Sequence, residues 1–287
     1  MPPQPQPNGG FAWVQAANGP ALVCRPLEAA ARHLFTARAW SLGSAAAGRQ
    51  DAAWSEISAA AGVETSCLVR VHQVHGAGIL VRRAGAEPPQ VDSTASGRPQ
   101  ADIIVSNDGG LALAVQTADC VPLLIADPRT GAAAAVHAGW RGLAVCAPRL
   151  AVEALAREFD SRAADLIAAI GPSIGACCYE VGPDVRAAFE RAGCGGEAGD
   201  WFSEAPQPDS TNPSMRGLTA ARRPNRWFFD AAAAARHQLL AAGVPATGIH
   251  SAGLCTASHA SLCSYRRDAA HAGRMAAVIR PQGLTPG

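Results

Sequence analysis

One stretch near the middle of the chain constrains the fold more than any other. Two apolar runs, "VPLLIAD" and "AAAAVHAGW", flank Asp127-Pro128-Arg129-Thr130-Gly131. Proline early in the segment and glycine at its end are the residues of a tight reversal, so the pair reads as a β-hairpin. A four-residue loop over 127–130, closed by Ala126 and Gly131, sets the register of the two strands. In that register Cys120 stands directly opposite His137, on one face, with Cβ atoms about 5 Å apart. Such a separation suits two ligands of one metal ion, or a Cys–His dyad.

A third ligand has to come from elsewhere. "HQVHG" offers His72 and His75. Three residues apart on a strand, they face opposite sides, so at most one can join. His75 is favoured because it abuts Gly76 at a strand end. Two histidines and a cysteine suit zinc, and three protein ligands leave a position open, as in catalytic zinc sites. Copper accepts the same donors, although a blue-copper site would add an axial partner. Against this stands the plain reading of Cys120 and His137 as core residues, since cysteine is among the most buried residue types.

Around the hairpin, helices and strands mix without a regular βαβ rhythm, which favours an α+β fold. "AAWSEISAAAG" (52–62) predicts a helix ending at Gly62, and "SCLVRVHQVHG" (66–76) a strand running into a glycine turn. Residues 85–100 read as a Pro/Gly/Ser-rich loop. "ADIIVSNDGGLALAV" (101–115) predicts a second hairpin across Asn107-Asp108-Gly109-Gly110. Helices are expected over 143–159, 183–192 and 231–242, the last capped by Asp230 and stopped by Gly243. A strand followed by a loop is expected over 166–182, polar loop over 194–226, and strands at "GIHSAGLCT" and "RMAAVIR".

Composition excludes several classes. The chain has 287 residues, 48% of them hydrophobic, enough for a full core in one large domain or two small ones. Its net charge of +1 points to neither nucleic acid nor a membrane surface. No apolar run is long enough to span a bilayer. "MPPQPQPNGG" lacks the charged and apolar regions of a secretory signal, so residues 1–20 read as a disordered tail before one domain at 21–282. Nine cysteines, an odd number, suggest mostly buried free thiols and a cytoplasmic setting. All 24 basic residues are arginine. That excludes a Schiff-base lysine and a Walker A lysine, so any phosphate must be held by arginine or backbone amides.

Taken in order, "HQVHG", "TADCVPLL", "AAVHAGWRG", "IGPSIGACCYEVG", "LCT" and "SYRRD…GRMAAVI" resemble the YfiH-like proteins over about residues 66–280. That family is known as laccase-domain or multicopper polyphenol oxidases and is now described as purine nucleoside phosphorylases with adenosine deaminase activity. The resemblance implies an α+β fold of stacked mixed β-sheets flanked by helices, distantly like the deamidase domain of cytotoxic necrotizing factor. It implies zinc on His75, Cys120 and His137, and phosphorolysis of adenosine, inosine, guanosine and methylthioadenosine to base and sugar 1-phosphate. The chain departs from the family at 36–50, where a loop looks shortened. Leu262, Cys263 and Ala272 replace two aromatics and a threonine. The partners to expect are then a nucleoside and phosphate, with no nucleic acid or membrane, for a monomer or weak homodimer.

Roles for the remaining candidates stay open in the sequence. Zinc on the three ligands would organise a water or polarise a substrate atom, and in deamination that water would attack C6 of adenine. Asp119 neighbours Cys120 and, on a strand, points to the other face. It reads either as an orienter of a ligand histidine or backbone brace, or as an edge carboxylate paired with arginine. Arg141, at a helix start, suggests phosphate or a structural carboxylate as partner. Trp140 reads as a base-stacking or a packing residue. Tyr265, Arg266 and Arg267 are candidate substrate and phosphate contacts, with an Arg–Asp268 ion pair as the alternative. Cys177 and Cys178 are adjacent and read as core or loop thiols, while Cys255 can line the pocket. His72 and His271 can border the site, and His33, His237, His250 and His259 receive no role. Three other functions compete: a copper-dependent phenol oxidase, a Cys120–His137 amidase or hydrolase acting on peptidoglycan precursors, and a non-enzymatic metal-binding partner.

Overall fold

The computed structural model describes residues 2–16, 18–40, 42–43, 50–86, 97–192, 198–218 and 223–283. Much of the expected loops at 36–50 and 85–100, namely 41, 44–49 and 87–96, lies outside the described residues. Two six-stranded sheets stack face to face. Numbered in chain order, the first runs β1 (Phe11–Ala16), β2 (Gly19–Cys24), β3 (Arg32–Thr36), β15 (Met275–Arg280), β7 (Ala112–Thr117), β4 (Leu68–Arg70). The second runs β14 (Ile249–Ser251), β10 (Ile167–Ile170), β8 (Val121–Ala126), β9 (Ala133–Ala138), β6 (Ile103–Ser106), β5 (Ile79–Arg82). Both are mixed: β4–β7, β10–β14 and β5–β6 are parallel pairs in otherwise antiparallel sheets. A small sheet of β11 (Glu180–Val181), β13 (Trp227–Phe229) and β12 (Phe202–Ser203) sits beside them.

Among the described residues seven helices complete the architecture: α1 (Arg25–Glu28), α2 (Gln50–Ala61), α3 (Trp140–Ala144), α4 (Ala147–Phe159), α5 (Pro183–Ala192), α6 (Ala231–Ala241) and α7 (Tyr265–Asp268). Alternation along the strands sorts the side chains into layers. Leu113, Val115 and Ala277 of the first sheet meet Leu124, Ala133 and Ala135 of the second in the central core. On the outer face of the first sheet, Ala114 and Val278 pack on Trp54 and Ile57 of α2. On the outer face of the second, Leu123, Ile125 and Val136 pack on Val152 and Leu155 of α4 and Ala235 and Leu239 of α6. The fold is thus the expected α+β stack of mixed sheets flanked by helices. Among the described residues no helix is long and apolar enough to cross a membrane.

Several local expectations need correction. Residues 101–115 do not form a hairpin: β6 pairs with β9 and β5, whereas β7 pairs with β15 and β4 in the other sheet. Both runs are almost entirely buried, and each found two strand partners in a different layer. Asn107–Gly110 is therefore a corner between layers. Gly109 makes that corner possible, since a Cβ there would lie 2.7 Å from the Gln282 carbonyl oxygen. The N-terminal stretch is not a disordered tail over 1–20. Strand β1 pairs along its length with β2, Phe11 packs on Phe35, and the Asn8 amide donates to the Ala252 carbonyl at 3.0 Å. Apolar side chains within the second half of that segment supply the burial that its Pro-rich start lacks.

Of the strand expected at 66–76 only Leu68–Arg70 is regular. The helix expected over 143–159 is two, α3 and α4, broken at Cys146 with φ +60°. The region 194–226 carries β12 and a short turn of helix before it. Helix α6 begins as expected, with the Asp230 side chain accepting from the Ala233 amide at 2.8 Å, and ends before Gly243 at φ +91°.

The central hairpin forms, but in a different register. The β8–β9 ladder pairs Ala126 with Ala133 and Pro122 with His137, and Asp127 bonds Ala132 beyond it. The loop is 128–131, because its left-handed residue is Gly131 (φ +69°), which cannot also close the ladder. Buried Asp127 caps the turn, its Oδ1 accepting from the amides of Arg129 (2.8 Å) and Thr130 (3.3 Å). Burial raises the Asp127 carboxyl, but hydrogen bonds from Ser161, Arg129 and Thr130 outweigh it and hold it below the ordinary range. A carboxylate favoured by folding stabilises above its unfolded pKa and stops doing so as pH falls through the folded value. Asp127→Ala should therefore lose about 1–2 kcal/mol at neutral pH. In urea unfolding the difference from the parent should shrink as pH drops below about 4.

Candidate active site

The corrected register changes how Cys120 and His137 meet. Gly139 now follows the ladder opposite Cys120, and His137 lies one diagonal step away. The shift is by two residues, so the two side chains keep the same face. Diagonal neighbours remain within reach of long side chains. The ligand atoms of His75, Cys120 and His137 all lie within 4.8 Å of one another. Gly139 is what allows the third to enter. A Cβ there would stand 3.1 Å from the Cys120 sulfur and 3.1 Å from the His75 ring.

His75 does not arrive on a strand. It has φ +60° in an irregular loop, held by a residue that sequence reasoning did not single out. Asp102 is fully buried at the head of β6. Its carboxylate accepts from the amides of Gly76 (2.7 Å), His75 (3.1 Å) and Val74 (3.3 Å), and from His137 Nδ1 at 2.8 Å. One carboxylate thus fixes the loop that carries His75 and the ring of His137. The His75 and His137 rings meet edge to face at 4.9 Å. The signal available in the sequence was an acid opening the apolar run "ADIIV", a place where a carboxylate must find donors.

The electrostatics follow from that contact. Burial raises the Asp102 carboxyl, but His137 and the amides of Gly76 and Val74 outweigh it and hold it low. Burial alone would lower His137. Asp102 and the Cys120 thiolate raise it instead, to about 9. Burial would raise Cys120, and His137 and His75 bring it down to about 6. Both shifts favour a thiolate beside an imidazolium. Thiolate is also the form that binds metals. With Nδ1 committed to Asp102, His137 keeps Nε2 for a ligand, the carboxylate–histidine arrangement common around zinc. Donor types, convergence and carboxylate support together suit a metal ion such as zinc or copper.

These residues floor a cavity of about 570 Å³, walled by Gln73, Gln116, Trp140, Tyr179, Tyr265 and Arg266. The other candidates are distributed unevenly. Tyr265, 59% exposed, stands at the rim. Arg266 reaches the wall, its Nη1 bonding the carbonyls of Glu180 (2.9 Å) and Cys178 (3.3 Å) and its guanidinium lying over Tyr179. His72 also lines the cavity. Arg141 is exposed and stacks on Trp140 at 4.2 Å, outside the lining. Neither Arg267 nor His271 reaches the cavity. The Arg267 guanidinium donates to the carbonyls of Thr256, His259 and Leu262 and to Asp268.

Asp119 has φ +90°, so strand alternation does not apply to it. Its carboxylate accepts from Thr256 Oγ1 and the Arg266 amide, both at 2.6 Å. It braces the start of α7 beside Cys120, while Asp102 takes the histidine-orienting role. Cys255 faces away, toward Cys177 and Cys178. Sequence reasoning also missed Tyr179, Arg98 and Arg274, which line the cavity from loops distant in the chain.

Two outcomes are expected. Asp102→Asn should weaken metal binding at this cluster about 10–100-fold in chelator competition. Arg267→Ala should lower stability in urea unfolding by more than about 2 kcal/mol, through several lost charge-assisted bonds.

Comparison with known proteins gives consistent results. The sequence profile of the family described as multi-copper polyphenol oxidoreductase laccase matches residues 48–282. A purine nucleoside phosphorylase of Deinococcus radiodurans is 35% identical over 234 residues, 80% of this chain and 78% of that protein. Adenosine deaminase RL5, from an unknown prokaryotic organism, is 32% identical over 215 residues, 74% of this chain and 74% of that protein. The fold matches the crystal structure of Bacillus licheniformis YfiH with a TM-score of 0.79 and 24% identity, covering 97% of this chain and 100% of that one.

Proposed function

The chain belongs to the family described as multi-copper polyphenol oxidoreductase laccase, and on that premise we propose that it is a zinc-dependent purine nucleoside phosphorylase that also deaminates adenosine. Adenosine, inosine, guanosine and methylthioadenosine are the proposed substrates, with inorganic phosphate as co-substrate. The observation that carries the reading is the His75–Cys120–His137 cluster on the floor of a cavity of nucleoside size, flanked by aromatic rings and arginine. Relatives named for the two activities support it.

His75, Cys120 and His137 would hold the zinc, which supplies a Lewis acid that polarises a substrate atom or lowers the pKa of water. Asp102 keeps a proton on His137 Nδ1 and so directs Nε2 into the cavity. Trp140 and Tyr179 offer ring faces to a purine. Arg266 offers donors to phosphate, where a chain without lysine must rely on arginine. In phosphorolysis a phosphate oxygen bonds C1′ as the C1′–N9 bond breaks. The electron pair leaves with the base, which takes up a proton.

A second reading has its own observation: Cys120, His137 and Asp102 are arranged as thiolate, imidazolium and carboxylate, as in a thiol hydrolase. Metal analysis with an adenosine assay separates them. Phosphate-dependent adenine release, lost in Cys120→Ala and on chelation, is expected. Arg266→Ala should raise the phosphate KM about tenfold or more, the loss of one charge-assisted bond. Phosphate-independent inosine alone would leave deamination only. Chelator-resistant activity abolished by thiol alkylation would favour the hydrolase. Oxygen uptake with phenols in copper-loaded protein would favour an oxidase.

A further inference from the structure

We propose that Cys177, Cys178 and Cys255 form a second metal site, a buried trithiolate that takes one Cu(I) ion. The three sulfurs lie within 4.8 Å of one another, and the residues are 2%, 0% and 2% exposed. With metal–sulfur bonds of about 2.3 Å, sulfurs around one ion stand about 4 Å apart, so the cluster needs only a small contraction. Adjacent cysteines can share an ion here because a turn presents them. The amides of Cys178 and Tyr179 both donate to the Gly175 carbonyl at 2.9 Å. The third comes from a segment stitched alongside, with Ser173 paired to Cys255 and the Thr256 amide donating to the Ser173 carbonyl.

Backbone amides reach two of the three sulfurs. The Gly175 amide donates to the Cys255 sulfur at 3.3 Å, and the Met215 amide to the Cys178 sulfur at 3.2 Å. Ser258 Oγ lies 3.5 Å from the Cys177 sulfur and 3.6 Å from that of Cys178. A cavity of about 340 Å³ has Cys177 and Cys255 in its wall, which gives an ion a route in.

Donor type and number choose the ion. All three donors are soft, and among the described residues no histidine or carboxylate joins the cluster. Soft thiolates select Cu(I) or zinc, and zinc in structural sites takes four ligands. Three sulfurs without a fourth protein donor match a three-coordinate monovalent ion. Copper enters and stays monovalent, so no electron moves. Three copper–sulfur bonds form, and every proton still on the thiols is released. The ion would clamp the turn that carries Tyr179 and the carbonyls of Cys178 and Glu180 that hold Arg266. This site is independent of the reaction proposed above.

The test uses the full chain in the Cys120→Ser background, which disables the first cluster. Anaerobic titration with Cu(I) against a chromogenic Cu(I) chelator should show one tight equivalent. Affinity should fall at least about 100-fold in Cys255→Ser and in Cys177→Ser, with melting temperature of the metal-free proteins showing that each is folded. X-ray absorption should report a shell of three sulfurs. Equal uptake by background and variants would overturn the proposal. So would preferential Zn(II) binding with nitrogen or oxygen in the shell, or a thiol count showing Cys255 already joined to Cys177 or Cys178.

Discussion

The candidate active site depends on one buried carboxylate. Asp102 has no exposed surface and four donors: three consecutive backbone amides and a histidine ring. A carboxylate in that position would be costly without them. Having them, it fixes two elements that share no ladder, the irregular 74–76 loop and the end of β9. His75 can keep a left-handed backbone because its own amide and those beside it are all bound by the same group. The cluster is a property of that anchor as much as of its three ligand side chains.

The two-sheet core supplies the rigidity the anchor needs. Strand β9 carries Ala133 and Ala135 toward the first sheet and Ala134 and Val136 toward α4. Small residues on its inner face let two sheets stack closely over a strand that must deliver His137 at its end. Strand β8 enters beside it with an apolar, fully buried run. Cys120 therefore sits where order gives way to a loop, which is where side chains can converge from several directions. Gly139 is the matching concession, a missing Cβ beside the thiol and the His75 ring.

Arginine use divides by what each guanidinium must satisfy. Arg267 spends its donors on the carbonyls of the 256–262 turn and on Asp268, and so builds the support of α7. Its neighbour Arg266 has two carbonyl bonds and turns toward the cavity. Arg38 pairs with the same Asp268 from across the fold. Adjacent arginines with identical chemistry thus take different work, and nothing in "SYRRD" distinguishes them. The same holds for Cys177 and Cys178, which read as core or loop thiols until a turn and a distant third sulfur were in view.

Much was legible in the chain itself. The mixed order of elements indicated the α+β class. The β8–β9 hairpin came from its turn residues, and α5 and α6 from their proline and aspartate starts. That Cys120 and His137 share a face followed from parity, which survived a register error of two residues because side chains repeat with a period of two. Other features depend on which layer a segment joins. Residues 101–115 have a hairpin's pattern, yet they divide between sheets, since buried apolar runs carry no record of their partners. Asp102, the left-handed His75, the brace at Asp119 and the trio of cysteines all rest on contacts between residues far apart in sequence. The sequence by itself determined the donor types and the local turns, because those follow from side-chain chemistry and backbone preference. Only the tertiary structure decided which donors converge, because convergence is set by the stacking of two sheets and by where a buried carboxylate finds its hydrogen bonds.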